Sequence, residues 1–200
     1  MPGTPPRAYA QPLTSALPEH PYPRAPARKR PTQPRTISYM TTDLAESDIT
    51  LLREAIAVSK NAVAAGNHPF GAVLTDPSGA IVLSAENTVN TANDCTGHAE
   101  TNLVRLAWRE IGPERLGDYS LYTSCEPCAM CCGAIYWSGI NRVVFAMSEA
   151  ELNSLTGDNP ENPTMSLDSR VVLNGGQRAI TVLGPAISAE AIAAHAGFWG

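Results

Sequence analysis

No run of apolar residues in this 200-residue chain approaches the ~20 that a helix needs to cross a bilayer, so a membrane-spanning role is not expected. The N-terminus lacks the apolar core of a secretory signal, and its proline density argues against the amphipathic helix of a transit peptide. Cysteine is scarce: of 5 in all, four stand at positions 125, 128, 131 and 132. Cysteines that crowded cannot frame a fold through disulfides, and an intracellular, cytoplasmic protein is expected. Basic residues are few where they would matter. Residues 1–35 hold six of the 14 Lys and Arg and one of the 19 Asp and Glu, a balance of 6 − 1 = +5. The rest therefore carries 8 basic and 18 acidic residues, or −10. Phosphate backbones are gripped by Lys and Arg, so a nucleic-acid partner is not expected.

What the front of the chain does have is proline, ten of the 17, with no sustained apolar periodicity. Such a segment cannot bury enough apolar area to offset its ordering entropy. Residues 1–39 are therefore read as a disordered Pro/Arg-rich extension, with Met40 as an alternative start. Residues 40–200 are long enough for one domain with its own core.

Within that domain, Ser47 is placed as the cap of a helix to about Val63, with Gly66 as its stop. Phe70–Thr75 and Ala80–Ala85 flank the turn Asp76-Pro77-Ser78-Gly79, which predicts a β-hairpin. A polar stretch, Asn87–Thr96, leads to a helix over about His98–Ile111. Tyr119–Thr123 reads as a buried strand. Pro127 is placed at the first position of a helix to about Trp137, ended by Gly139. Arg142–Ala146 and Ala179–Leu183 read as strands, Glu149–Leu155 and Ala189–Ala196 as short helices, with a loop through Pro163. Helices alternating with strands after the hairpin predict an α/β sandwich.

His98-Ala99-Glu100 and Pro127-Cys128-Ala129-Met130-Cys131 carry the chemistry. Imidazole and thiolates are good zinc ligands, and three protein ligands leave a tetrahedral ion one open position. Cys128 and Cys131 lie three apart on one helical face, in a first turn where the helix dipole favours thiolate over thiol. His98 likewise opens a helix, so two helix N-termini can build one site. Glu100 would stand about 200° from His98 on a regular helix, yet at a first turn both can face the space beyond the helix end. The run Cys125-x-x-Cys128-x-x-Cys131 contains two overlapping pairs. A closed structural zinc site would need a fourth ligand, for which Cys125 or Cys95 is available. The pattern H-x-E with P-C-x-x-C is that of zinc nucleobase deaminases, and its register selects His98, Cys128 and Cys131 as ligands.

Taken with Pro69–Leu74, Asn87, Asn93-Asp94, Tyr122–Cys131 and Gly133–Trp137, these motifs resemble the cytidine-deaminase-like superfamily, in particular its guanine deaminase branch. The similarity is good over about residues 45–150 and loose in the last quarter. It implies a three-layer α/β/α sandwich with a five-stranded mixed sheet, a homodimer, and one zinc ion per subunit at two helix N-termini. The implied reaction is hydrolytic deamination of a free base, guanine to xanthine plus ammonia, with zinc-bound hydroxide as nucleophile and Glu100 as catalytic proton shuttle. Asn87, Phe70 and Ala99 are the implied substrate-binding residues: an amide for the base edge, a ring to stack and a backbone N–H. Pro-Phe-Gly, Ile-Tyr-Trp and the Ser124–Pro127 context tilt the resemblance toward guanine. Asp94 is read as fixing the loop before His98. Cys95 and Gly97 depart from the proline and alanine common in the family. The tail His195-Ala196-Gly197-Phe198-Trp199 is read as a docked terminus or a lid, with Glu190 and His195 as lesser lid candidates.

Other readings share the metal chemistry. Cytosine, a guanosine-type nucleoside or an amino-triazine could replace guanine. A tRNA adenosine deaminase would need a basic surface, and a non-catalytic zinc-bound dimer would not need Glu100.

Overall fold

The computed structural model describes residues 44–199, so the expected extension over 1–39 and the alternative start at Met40 lie outside the described residues. Helix α1 (Glu46–Ala64) precedes a hairpin of β1 (Gly71–Thr75) and β2 (Ile81–Glu86). A short α2 (Val89–Ala92) leads to α3 (Ala99–Glu110), β3 (Ser120–Cys125), α4 (Ala129–Ser138) and β4 (Arg142–Met147). Then follow α5 (Glu149–Thr156), α6 (Ser169–Leu173), β5 (Thr181–Leu183) and α7 (Ser188–Ala193). The sheet runs β2-β1-β3-β4-β5, antiparallel across its first two pairings and parallel across β3–β4–β5. It is the expected five-stranded mixed sheet flanked by helices. Among the described residues, no helix is long and apolar enough to cross a membrane.

The two-residue period of the strands sorts side chains into two cores. Ala72, Leu74, Leu121 and Val143 face α3 and α4, where Leu103, Ala107, Cys132 and Ile135 meet them. Val73, Tyr122 and Val144 face the other way, onto Leu51, Leu52 and Ile56 of α1 and Ala191 of α7. At the sheet end where β3 begins, Arg142 donates to both carboxylate oxygens of Asp48 at 2.9 Å. Tyr122 O–H also donates to Asp48, at 2.8 Å, pinning the first turn of α1 onto β3 and β4.

Four local expectations shift. Helix α1 begins after Ala45, not at Ser47, because the Asp48 carboxylate accepts from Ala45 N at 3.1 Å and supplies the cap three residues on. The polar stretch before His98 holds α2, closed by Asn93 in the left-handed region (φ 50°). The loop after α5 gives way to α6, whose first turn is capped by Asp168 accepting from Arg170 N at 2.7 Å. Pro127 is not the first residue of α4. Cys125 still pairs with Met147, and Glu126 N donates to Met147 O at 2.8 Å. The strand thus runs longer than read, and the helix starts after Cys128.

Gly71 sets how closely α1 approaches the sheet. A Cβ there would lie 2.3 Å from Ser59 N and 2.6 Å from Ala55 O, both backbone atoms of the helix. Gly71→Ala is expected to destabilise the protein by about 1–3 kcal/mol through overpacking, measured as a lower urea midpoint at unchanged slope. An unchanged midpoint would refute this account of the α1–β1 contact.

Candidate active site

Both His98 and Cys128 are N-cap residues with extended backbone, of α3 and α4 respectively. Cys131 follows in the first turn of α4. Their side chains meet: Cys128 Sγ and Cys131 Sγ each lie 3.6 Å from His98 Nδ1 and 3.7 Å from one another. A tetrahedral zinc ion with Zn–S about 2.3 Å and Zn–N about 2.0–2.1 Å spaces such atoms by about 3.6–3.8 Å. The triangle therefore has the dimensions of a zinc site. Among the described residues it is the group of His, Cys, Asp and Glu side chains with metal-binding geometry, and it contains neither Cys125 nor Cys95. Three protein donors leave a fourth position open, as in catalytic rather than structural zinc sites.

The loop entering α3 is braced from several sides. Asp94 accepts from Thr96 N at 2.8 Å and Thr96 Oγ1 at 2.7 Å, and Thr88 N donates to Gly97 O at 2.8 Å. A Cβ on Gly97 would come within 2.8 Å of Thr88 Oγ1, so the departure from alanine accompanies a tighter loop. On the other half, Gly71 N donates to Ser124 Oγ at 3.1 Å. Glu126 accepts from Glu149 N at 3.0 Å and from Ser169 N at 2.8 Å, tying β3 to α5 and α6. Ser124 and Glu126 thus hold backbone in place, and the motif they belong to reports scaffold geometry.

Glu100 is buried under the triad. Thr123 Oγ1 donates to its Oε1 at 2.7 Å, while Oε2 lies 3.3 Å from Cys131 Sγ. Burial raises its pKa, with the Thr123 hydrogen bond opposing. Cys128 is lowered to about 4, because Cys131 and His98 hydrogen-bond to its sulfur. Its neighbour Cys131 is raised, sharing a proton with Cys128 in a buried place where a second charge is opposed. His98 is raised by its contact with Cys128. Burial also raises the Cys125 and Cys132 thiols. Cys132 Sγ lies 3.1 Å from Pro127 O, inside the core and facing away from the triad. Cys95 is exposed.

Of the three residues expected to contact substrate, Asn87 and Phe70 adjoin one another and Ala99 directly follows the ligand His98. Asn87 is 1% exposed, and its backbone N donates to Phe70 O at 3.0 Å. Its Oδ1 accepts from Val89 N at 3.0 Å, which fixes the amide with its Nδ2 hydrogens on the opposite side. Ala99 is the buried first residue of α3, where the backbone N–H has no acceptor within the helix. The Phe70 ring packs edge-on against His195, with centroids 5.3 Å apart.

Residues not singled out by the sequence complete the site. Glu149 is 5% exposed, and burial, with the Cys128 and Glu100 charges next, pushes its carboxyl up to about 8. Its sequence signal was a carboxylate just past a buried strand at the sheet's carboxyl edge, where α/β folds place ligands. The tail folds back: Trp199 stacks on His68 at 5.6 Å and donates from Nε1 to His195 Nδ1 at 3.0 Å. Asn159 Nδ2 donates to Trp199 O at 3.2 Å and anchors it. His195 is one of the best-buried side chains, whereas Glu190 is an exposed partner of Arg53 and takes no part. Trp137 is 79% exposed on the outer side of α4.

A family model, the cytidine and deoxycytidylate deaminase zinc-binding region, matches residues 45–147. A probable cytosine deaminase of Schizosaccharomyces pombe is 45% identical over 159 residues, 80% of this chain and 96% of that protein. The guanine deaminase of Bacillus subtilis is 44% identical over 103 residues, 51% of this chain and 65% of its own length. Among solved structures, a guanine deaminase from Nitrosomonas europaea superposes with a TM-score of 0.63 at 25% identity, covering 75% of this chain and 82% of that one. Metal triad, fold and kinship agree, and the chain belongs to the cytidine and deoxycytidylate deaminase zinc-binding family, as a zinc-dependent hydrolytic deaminase.

Proposed function

We propose that this protein hydrolyses the amino group from a free nucleobase, guanine first among them, giving xanthine and ammonia. His98, Cys128 and Cys131 would hold the zinc ion, which when bound would supply an acidified water as nucleophile at neutral pH. Glu100 moves the protons. Thr123 occupies its Oε1, so the proton travels on Oε2, the oxygen facing the triad. The water's first proton passes this way to the ring nitrogen beside the attacked carbon, and its second, left on the new hydroxyl, passes by the same oxygen to the departing amine. Burial holds the carboxyl readier to take a proton than one in water.

The observation that carries guanine over other bases is Glu149. In guanine the attacked C2 lies between N3, which accepts a proton, and N1–H, which needs an acceptor. A second buried carboxyl beside Glu100 suits that N1–H. Cytosine has no ring N–H next to its reacting carbon. Phe70 and Asn87 form the wall against which the ring lies. Cytosine is the second reading, favoured by similarity that spans 96% of the probable cytosine deaminase and so reaches the C-terminal region. A tRNA adenosine substrate fits less well with the net −10 of the chain beyond residue 35 (8 basic, 18 acidic).

We further propose that two copies pair through the outer side of α3 and α4. There Trp108, Trp137 and Ala134 form an apolar groove edged by Arg105 and Arg109. A second copy would cover tryptophans that are otherwise 41% and 79% exposed.

The zinc-loaded protein should release ammonia from guanine faster than from cytosine, adenine, guanosine or ammeline. Faster release from cytosine would replace the first reading with the second. Glu100→Gln should lower kcat by about 10²–10⁴-fold while metal analysis still finds one zinc per chain; an unaltered rate would remove Glu100 from the mechanism. Wild-type protein should sediment as a dimer and Trp137→Lys as a monomer, and a dimeric variant would move the interface elsewhere.

A further inference from the structure

Two buried side-chain polar atoms lack a hydrogen-bond partner among the described residues, His195 Nε2 and Asn67 Nδ2. Buried polar groups in folded proteins are nearly always paired, so an unpaired one asks for an explanation. Asn67 precedes His68, and its Oδ1 accepts from Thr91 N at 3.0 Å. His195 lies between Phe70 and Trp199, with ring centroids 5.3 and 6.0 Å away.

The protonation of His195 follows from its neighbour. An indole N–H can only donate, so Nδ1, at 3.0 Å from Trp199 Nε1, must be the accepting nitrogen. Burial pushes the imidazole down to about 4, so at neutral pH it carries a single proton. That proton is on Nε2. His195 therefore carries a fixed, buried N–H on a ring that the tail holds edge-on against Phe70. Two further groups expected to meet the base are donors as well: the Asn87 Nδ2 hydrogens and the Ala99 backbone N–H.

We infer that His195 is a specificity-determining residue whose Nε2–H donates to the ring carbonyl oxygen of the bound base. This rests on the free-base deamination proposed above and adds what the base must carry. A carbonyl satisfies the donor; a ring C–H at that position leaves it unpaired, and an amino group sets donor against donor. Guanine, with O6 beside N1–H, and cytosine, with O2, both qualify. Adenine carries no carbonyl. Trp199 is a positioning residue, because its indole N–H selects the tautomer.

The test compares guanine with 2-aminopurine, which keeps the amino group and lacks O6. With zinc-loaded protein, His195→Phe should lower kcat/KM for guanine about tenfold or more and leave 2-aminopurine nearly unchanged, collapsing the ratio between them. His195→Gln, whose amide keeps a donor, should retain most of the ratio. Equal losses on both bases from His195→Phe, at unchanged zinc content, would mean a packing role and overturn the inference. Should that variant fail to fold, Trp199→Phe decides, since it frees the tautomer while keeping the imidazole. It should shift the ratio in the same direction, and an unmoved ratio overturns the inference. Wild-type protein inactive on every base would instead sink the proposed function itself. Activity on cytosine alone transfers the same comparison to cytosine and 4-aminopyrimidine, which lacks O2.

Discussion

The site depends on two helix N-termini, those of α3 and α4, ending at one spot beside the last residues of β3. A helix start offers unpaired backbone N–H groups and a partial positive charge. Two of them together favour thiolates and leave the Ala99 amide without an acceptor inside its helix. This convergence requires the strand to run on to Cys125 and the loop at Gly97 to stay tight. Ser124 and Glu126 enforce the first condition through hydrogen bonds to the backbone of β1, α5 and α6. The same bonds bring Glu149 to the site, because its N–H is held by Glu126.

Around this frame the protein divides its polar groups by sign. Proton-carrying carboxyls, Glu100 and Glu149, lie under and beside the metal ligands, both raised by burial. Two groups near Phe70, the Asn87 amide and the His195 imidazole, offer donors instead. Burial favours the protonated form of each carboxyl, while the N–H donors keep their protons. The tail matters here: without Trp199 the imidazole of His195 would have no defined tautomer.

Much of this could be read from the chain. The period-two strands, the hairpin turn at Asp76–Gly79 and the glycine stops at 66 and 139 are local features, and local sterics decide them. The ligand set was legible through the H-x-E and P-C-x-x-C signature, whose register chose Cys128 and Cys131 over Cys125. The placement of Pro127 failed because strand length depends on pairing with Met147, a partner on another strand. Glu149 went unnoticed because one glutamate in a first helical turn looks like any other. The bond from Val89 N that orients the Asn87 amide depends on how the chain turns after β2.

Local pattern along the chain was enough for the five strands and the longer helices, for the zinc signature at His98, Cys128 and Cys131, and for a carboxylate next to it. Those properties rest on short-range geometry and on the chemistry of single residue types. Long-range contacts set the environment of the groups around the triad. Burial gave Glu149 its raised pKa, and a contact between residues 195 and 199 set the proton on His195. Desolvation and tautomer choice belong to an environment assembled from distant segments, and no window along the chain contains it.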